Sequence, residues 1–334
     1  MKSVSLIGVD EEIIHLAAVF IKSKYHLKYI MIKQVDYERL NCIEAVFLDY
    51  RLENKEKERL YRYCLDHGIR VHLLPGVMDL SKVKQHQLRD RLVFELSNYC
   101  LTSFQKFTKR LFDIIMSLLI IIILSPLMLF IWLLMRIIDK GPALYYQKRL
   151  TYQGRVFILY KFRTMVRNAE SKSGAVLSAI NDERVTRIGK VLRKTRLDEI
   201  PQIFNVLIGD MSLVGPRPER AYFVQKFMEE NEFYRYRFNV KAGVTGLAQV
   251  NCYYHSSYCD KLKYDLLYIA NYSIFNDIKL LFKTVKILFS KVSANGTATE
   301  SLENLLRKKN LVLKEEKPGI LELRTIDEKD NDQL

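Results

Sequence analysis

The stretch IIMSLLIIIILSPLMLFIWLLM, Ile114–Met135, decides how this chain folds. Its 22 residues carry no charge. As one straight helix it is roughly 33 Å long, enough to cross the hydrocarbon of a bilayer. A buried helix of a soluble protein is the competing reading, but six turns without a polar face weigh against it. Ser125-Pro126 lies in its middle. Proline removes a backbone donor and clashes with the carbonyl four residues back, so it kinks a helix. A serine hydroxyl can satisfy a freed backbone group nearby, which makes such a break tolerable in lipid. Lys106, Lys109 and Arg110 precede the run, and Arg136, Lys140, Lys148 and Arg149 follow it. Positive flanks mark the cytoplasmic side, and here both flanks are positive. A helix that enters, breaks at Ser125-Pro126 and returns fits these charges better than a single span, which stays as the alternative.

A second membrane signal lies downstream. Ile274, Ile278, Leu281, Phe282, Val285, Leu288 and Phe289 recur at helical spacing, with Lys279, Lys283 and Lys286 between them. This is an amphipathic helix suited to phospholipid headgroups. A helix packed on a core with a solvated lysine face explains the pattern as well.

Outward from the apolar run, the 334 residues leave room for two medium domains. The net charge is +15, and residues 101–300 carry +14 of it. Charge localised in this way calls for an anionic partner: phospholipid, a phosphorylated substrate or nucleic acid. The five cysteines form no CxxC pair and are odd in number, which argues against a disulfide framework or a zinc site and suits a reducing compartment. Met1-Lys2 leads into an ordinary strand and not into a signal-peptide pattern.

Residues 1–80 alternate apolar strands (Ser3–Gly8, Tyr29–Gln34, Ala45–Tyr50 and Ile69–Leu74) with helical patterns at Glu11–Lys22 and Lys55–His67. This is a Rossmann-like α/β domain. Gly8 is followed by Val9-Asp10-Glu11-Glu12 and not by GxGxxG, so a dinucleotide is not expected there. The domain reads as regulatory or oligomerising, which leaves a homo-oligomer open. Residues 81–113 read as a helical connector and 114–138 as the re-entrant helix. Residues 139–292 read as an α+β, mainly helical domain, with a basic amphipathic helix over Asp182–Arg196. Residues 293–334 read as a charged, mobile tail.

The chemistry concentrates in Arg196-Leu197-Asp198-Glu199-Ile200-Pro201-Gln202 and, thirteen residues after Asp198, in Met211-Ser212-Leu213-Val214-Gly215-Pro216-Arg217-Pro218-Glu219. An acidic pair before a helix is an ordinary cap, but capping does not call for Arg193, Lys194, Arg196 and a Pro-Arg-Pro turn beside it. Phosphoryl transfer does. One carboxylate can attack phosphorus or activate a nucleophile, the other can hold a divalent metal, and cations neutralise phosphate oxygens. The cations and the following helix N-terminus are expected to depress both carboxylate pKa values. Pro216 and Pro218 restrict the backbone around Arg217 and aim its guanidinium. Tyr160–Met165 offers Lys161 and Arg163 on one strand face. Gly243-Val244-Thr245-Gly246 suits a close backbone approach, to a ligand or within a turn.

These blocks together resemble the bacterial sugar transferase family, the monotopic phosphoglycosyl transferases that load a polyprenyl-phosphate carrier. The resemblance covers about residues 105–292. It includes Lys109-Arg110-Leu111-Phe112-Asp113, Ser125-Pro126, Gly141-Pro142, Tyr160–Met165, Leu192–Gln202, Gly209–Glu219, Lys241–Asn251 and Tyr264–Tyr272. It implies a re-entrant helix, a catalytic domain facing the cytoplasm at the bacterial inner membrane, and a Mg²⁺-dependent ping-pong reaction. Asp198 matches the nucleophile that takes a sugar phosphate from a UDP-sugar and passes it to polyprenyl (undecaprenyl) phosphate. Glu199 matches the metal-binding carboxylate, and Pro216, Arg217 and Pro218 match the nucleotide-binding turn. Lys161, Arg163, Arg193, Arg196 and Gln202 complete the candidate substrate-binding set. The usual Lys-Pro-Gly-Ile-Thr-Gly block reads Lys241-Ala242-Gly243-Val244-Thr245-Gly246 here, and an Asn-Gly-Arg type ending reads Asn251-Cys252-Tyr253.

Two rival readings stand beside this one. A catalytically silent membrane scaffold of a polysaccharide assembly complex would not need Asp198, Glu199 and Arg217 intact. A nucleic-acid-binding protein suits the charge, but no binding motif is present and the apolar run opposes it.

Overall fold

Apolar runs such as Leu6-Ile7 and Ala45-Val46-Phe47-Leu48 have no polar side to turn to water, which is the signature of a parallel strand covered on both faces. The computed structural model describes residues 2–23, 25–76, 83–88, 91–96, 99–138, 141–166, 182, 184–252, 256–288 and 302–325. The chain divides into two units, Met1–Asp79 with Ala298–Leu334, and Leu80–Thr297. The domain boundaries expected near residues 80, 139 and 292 lie outside the described residues.

In the first unit, strands β1 (Lys2–Gly8), β2 (Tyr25–Ile32), β3 (Ala45–Asp49) and β4 (Arg70–Leu74) alternate with helices α1 (Glu12–Ile21), α2 (Tyr37–Leu40) and α3 (Asn54–Asp66). β1 pairs in parallel with both β2 and β3, and β3 with β4. The two sheet faces bury separate cores, one around Leu48, Leu60 and Cys64, the other around Leu6, Ile13 and Ile30. Gly68, at φ +66°, supplies the left-handed turn after α3.

The second unit departs at once from the helical connector expected over 81–113. β5 (Val83–Leu88) and β6 (Arg91–Leu96) form an antiparallel hairpin. The Leu92-Val93-Phe94 run favours extended backbone, and its charged neighbours are not a helix signal. Helix α4 then runs from Ser103 to Ile138 with Pro126 inside it. The break expected at Ser125-Pro126 does not interrupt the helix. The Ser125 hydroxyl donates to the Ile122 carbonyl at 3.0 Å, so any return of the chain must be a bend within one helix. α4 is long and apolar enough to cross a membrane, and only 11% of its most apolar window is buried.

What is buried on α4 is polar at one end and apolar at the other. The Lys109 ammonium pairs with Asp277 at 2.7 Å, and Tyr268 donates to the same carboxylate at 2.8 Å. Arg110 donates to the Val206 and Leu207 carbonyls, both at 2.7 Å. Asp113 accepts from Ser212 Oγ and Leu213 N–H, both at 3.0 Å. Toward the other end, Ile131 and Met135 pack with Ala143, Phe162 and Leu192.

β7 (Leu144–Leu150) and β8 (Val156–Phe162) form an antiparallel hairpin. Helix α5 (Arg187–Thr195) begins five residues later than the expected Asp182, because Thr186 caps it by accepting from Gly189 N–H at 3.0 Å. α6 (Gln202–Ile208) follows directly on Pro201 and is closed by Gly209 at φ +98°. Next come β9 (Ser212–Val214), α7 (Ala221–Glu230), β10 (Gly243–Thr245, parallel to β9), α8 (Leu247–Asn251), α9 (Tyr258–Ala270) and α10 (Ile274–Leu288).

The chain then returns to the first unit, where a mobile tail was expected. Helix α11 (Leu302–Lys308) leads into β11 (Leu311–Lys317) and β12 (Ile320–Thr325). β12 pairs antiparallel with β2, so the sheet order is β11-β12-β2-β1-β3-β4. Pro318-Gly319, with Gly319 at φ +75°, is a hairpin turn. Ile320 is 2% exposed and joins the core with Tyr29 and Met31. Ile320→Ala should therefore cost the first unit about 2–4 kcal/mol, read as faster hydrogen exchange in β2. Unchanged β2 protection would contradict the docking of the hairpin.

Candidate active site

α5 and α6 are joined by a short reversal, residues 196–201. Arg196 adopts the left-handed conformation, φ 58° and ψ 14°, and a single 3-10 turn, Leu197–Glu199, follows. Arginine has no side-chain reason to sit there. Asp198 and Glu199 lie in the 3-10 turn that this left-handed residue introduces.

The two carboxylates have different surroundings. Asp198 is 8% exposed, and its Oδ1 is buried without a hydrogen-bond partner. Burial, then the neighbouring charge of Glu199, push its pKa up to about 6, and Lys161, Arg193 and Arg196 offset only part of this. The expectation that both carboxylates are depressed is therefore wrong for Asp198, because desolvation outweighs the cations. For Glu199 the balance reverses. Burial works upward, but the charge and hydrogen bond of Arg217, with Arg196 and Lys161, hold its pKa below the usual range. Arg217 Nη2 lies 2.8 Å from Glu199 Oε1, and this pairing raises the arginine's own pKa.

The cations arrive from four directions. Lys161 comes from β8, over the ring of Tyr145 at 5.2 Å. Burial, then Arg149, lower its pKa to about 8, against the pull of Asp198 and Glu199. Arg193 comes from the last turn of α5, where its Nε donates to Thr164 Oγ1 at 2.8 Å. Arg196 is the reversal itself. Arg217 comes from the turn after β9, between buried Pro216 and Pro218.

Four expected members sit differently. β8 ends at Phe162, so strand alternation does not carry Lys161 and Arg163 onto one face. Arg163 is 8% exposed, with its N–H bonded to the Ala143 carbonyl at 2.8 Å. Gln202 is buried as the first residue of α6. Ser125 and Pro126 belong to the exposed middle of α4.

Three contributors escaped the sequence. Asn205, fully buried, donates to the Ile158 carbonyl at 2.7 Å and accepts from Tyr160 N–H at 3.0 Å, which docks α6 on β8. Arg149 reads as a membrane flank but lies on the face of β7 shared with Tyr145 and Gln147. Burial, only partly countered by Glu219, lowers its pKa to about 10. Arg237 is ion-paired with Asp265 at 2.8 Å, across 28 positions of sequence. Only the strand alternation of Arg149 was legible in advance.

Among the described residues no cluster of three or more His, Cys, Asp or Glu could hold a metal. The orphaned Asp198 oxygen beside Glu199 is what the chain offers a divalent cation. Mg²⁺ is commonly held by one or two carboxylates and completed by water and substrate phosphates, so the pair fits that ion. Buried carboxylate oxygen, flanking carboxylate and converging cations suit an electrophilic phosphorus with anionic oxygens around it.

Comparison with known proteins agrees with this chemistry. The bacterial sugar transferase family matches residues 104–291. A UDP-N-acetylgalactosamine-undecaprenyl-phosphate N-acetylgalactosaminephosphotransferase of Aeromonas hydrophila is 36% identical over 82% of this chain and 70% of its own length. An undecaprenyl-phosphate galactose phosphotransferase of Salmonella typhimurium is 36% identical over 65% of this chain. A UDP-glucose:undecaprenyl-phosphate glucose-1-phosphate transferase of Klebsiella pneumoniae is 42% identical over 53%. This chain spans 47% and 39% of the length of the latter two. The apolar run of α4, the acidic pair and the Pro-Arg-Pro turn all fall inside the matched residues, and the chain belongs to the bacterial sugar transferase family.

Proposed function

We propose that this protein transfers a sugar-1-phosphate from a UDP-sugar to undecaprenyl phosphate and releases UMP. The observation that carries the reading is the buried, unpartnered Asp198 oxygen inside a ring of cations. Lys161, Arg193, Arg196 and Arg217 exceed what two carboxylates need, and a diphosphate supplies the missing negative charge. The names of the relatives, which act on undecaprenyl phosphate, support the same substrates. A silent scaffold gives no reason to keep a desolvated carboxylate in place.

In this scheme an Asp198 oxygen attacks the β-phosphorus of the donor. The bond from that phosphorus to the bridging oxygen breaks, and UMP leaves with the electron pair. The sugar phosphate is then an acyl phosphate on Asp198. An oxygen of the carrier phosphate attacks the same phosphorus, and the Asp198 carboxylate is released unchanged. Lys161 and Arg217 neutralise the oxygens on which charge builds. Mg²⁺, bound through Glu199 and Asp198, would supply further neutralisation of the diphosphate.

The chain is membrane-bound through α4. Several features support a re-entrant arrangement with the catalytic unit on the cytoplasmic face of the inner membrane. Lys109, Asp113 and Ser117 near one end of α4, and Ile131 and Met135 near the other, are all buried, while Ile122, Ile123, Leu129 and Phe130 between them are exposed. α10 exposes Phe275, Phe282 and Val285 alongside Lys279, Lys283 and Lys286, a mixture suited to headgroups. Cysteines placed singly at residues 106 and 136 should both label from the cytoplasmic side, and labelling from opposite sides would sink the re-entrant reading.

The reaction is tested by incubating detergent-solubilised protein with Mg²⁺, undecaprenyl phosphate and a panel of UDP-sugars while UMP is measured. Asp198→Asn should lower UMP release by at least about 10³-fold, and equal release would remove Asp198 as nucleophile. Glu199→Gln should shift the Mg²⁺ titration to higher concentration; an unchanged titration would remove it as a ligand.

Holding Asp198 ready has a stability cost with a definite pH dependence. Its folded pKa of about 6 lies above the ordinary 3.8, so the folded state binds the proton more tightly than the unfolded state. The penalty is absent below about pH 4, grows through the interval and is complete above about pH 6. With EDTA present, Asp198→Asn should be more stable than wild type at pH 7.5 by roughly 2–3 kcal/mol, and the gap should shrink at pH 4.5. A variant less stable at pH 7.5 would show that the cations, not burial, dominate there.

A further inference from the structure

The turn that carries Arg217 cannot hold itself. Pro216 and Pro218 have no N–H to close it, and both are buried. Its four carbonyls are satisfied from outside. Gly243 N–H donates to Pro216 O at 2.8 Å, and Leu150 N–H to Glu219 O at 3.0 Å. Between them, Arg237 Nη2 donates to Arg217 O at 2.9 Å and Arg149 Nη1 to Pro218 O at 3.2 Å. The outer two donors are backbone groups, as for any turn lodged against neighbouring segments. The inner two are guanidinium groups brought in from distant parts of the chain.

Arg237 is the more fully committed of the two. It is 4% exposed. Its Nε and Nη2 donate to Asp265 Oδ2 at 3.1 and 2.8 Å, its Nη1 donates to Tyr234 OH at 2.6 Å, and the Tyr234 ring lies under it at 4.8 Å. Asp265 is 2% exposed. A guanidinium engaged on every nitrogen and shut away from water has nothing left to offer a substrate. Among the described residues it meets the site through the Arg217 carbonyl, while the Arg217 side chain meets Glu199 at 2.8 Å.

We infer that Arg237, seated on Asp265, is a positioning residue: it fixes the main chain of Arg217 so that the Arg217 guanidinium is aimed at Glu199 and at the donor phosphates. Arg149 secures the next carbonyl in the same way. The inference rests on the proposed reading that Arg217 contacts the donor. It needs arginine and not merely a cation. Lysine keeps the charge opposite Asp265 but lacks the planar fork that reaches Asp265 and the Arg217 carbonyl together. A misplacement of about 1 Å in a catalytic group can cost about 10²-fold in rate.

The experiment is a double-mutant cycle on the full-length, detergent-solubilised protein. Arg237→Lys, Arg217→Ala and the double variant are compared for donor kcat/KM by UMP release, and hydrogen exchange is followed over residues 212–222 and over α6. Arg237→Lys should lower kcat/KM by about 10–100-fold. The double variant should be no worse than Arg217→Ala alone, because Arg237 acts through Arg217. Exchange should quicken in 212–222 and stay unchanged in α6. Losses that multiply, or exchange that rises throughout the unit, would overturn the inference, since both mark a general structural role. Arg217→Ala without effect on the donor would overturn the donor reading instead, and the exchange result would then decide the positioning role. If Arg237→Lys does not fold, Asp265→Asn takes its place in the cycle, because it loosens Arg237 without emptying its site.

Discussion

Two carboxylates on adjacent residues, one of them drawn out of water, repel each other and resist ionisation unless cations stand close by. Much of the second unit serves that constraint. β8 delivers Lys161, the end of α5 delivers Arg193, the left-handed residue after it is Arg196, and the turn after β9 delivers Arg217. No single element can supply all four, so the site exists only when α5, α6, β8 and β9 are in register. Asn205 sets one of those registers by bonding α6 to the backbone on both sides of Leu159. The outcome is uneven: Glu199 is paired with Arg217, while the burial of Asp198 is only partly offset by its cations.

The membrane helix is tied to this arrangement by its polar residues. Arg110 grips the carbonyls at the end of α6, the helix that follows the acidic pair, where unpaired C=O groups favour a cation. Asp113 grips the start of β9, the strand that leads to Arg217. Residues three apart on one helix thus hold both arms of the site. Lys109 and Asp277 add a buried ion pair to α10, and breaking such a pair costs about 3–5 kcal/mol.

Local pattern made part of this visible in the sequence. The apolar run, the four parallel strands, the glycines ending α3 and α6 and the acidic pair were all readable, because periodicity and turn chemistry act over a few residues. The hairpin at 83–96 was hidden by charge that suited a helix equally well. The alternation of Leu311, Leu313, Leu321 and Leu323 around Pro318-Gly319 was a hairpin signal, overlooked beneath the charge of the tail. The sign of the Asp198 shift was not readable, since it is the difference between desolvation and several cations whose distances only the fold defines. Arg237 and Asp265 carry no local pattern at all; their meaning lies in a carbonyl twenty residues away.

The return of β11 and β12 to the first sheet makes that domain discontinuous. During synthesis the strand β2 leaves the ribosome nearly three hundred residues before its neighbour β12. Through that interval one edge of the sheet is open, and the membrane helix and the whole catalytic unit are made while it waits. The hairpin that closes this sheet edge is therefore translated long after the strand it pairs with. A ribosome that stops short leaves a nascent chain with an unsealed strand edge, so completion of the N-terminal domain reports that everything between has been made.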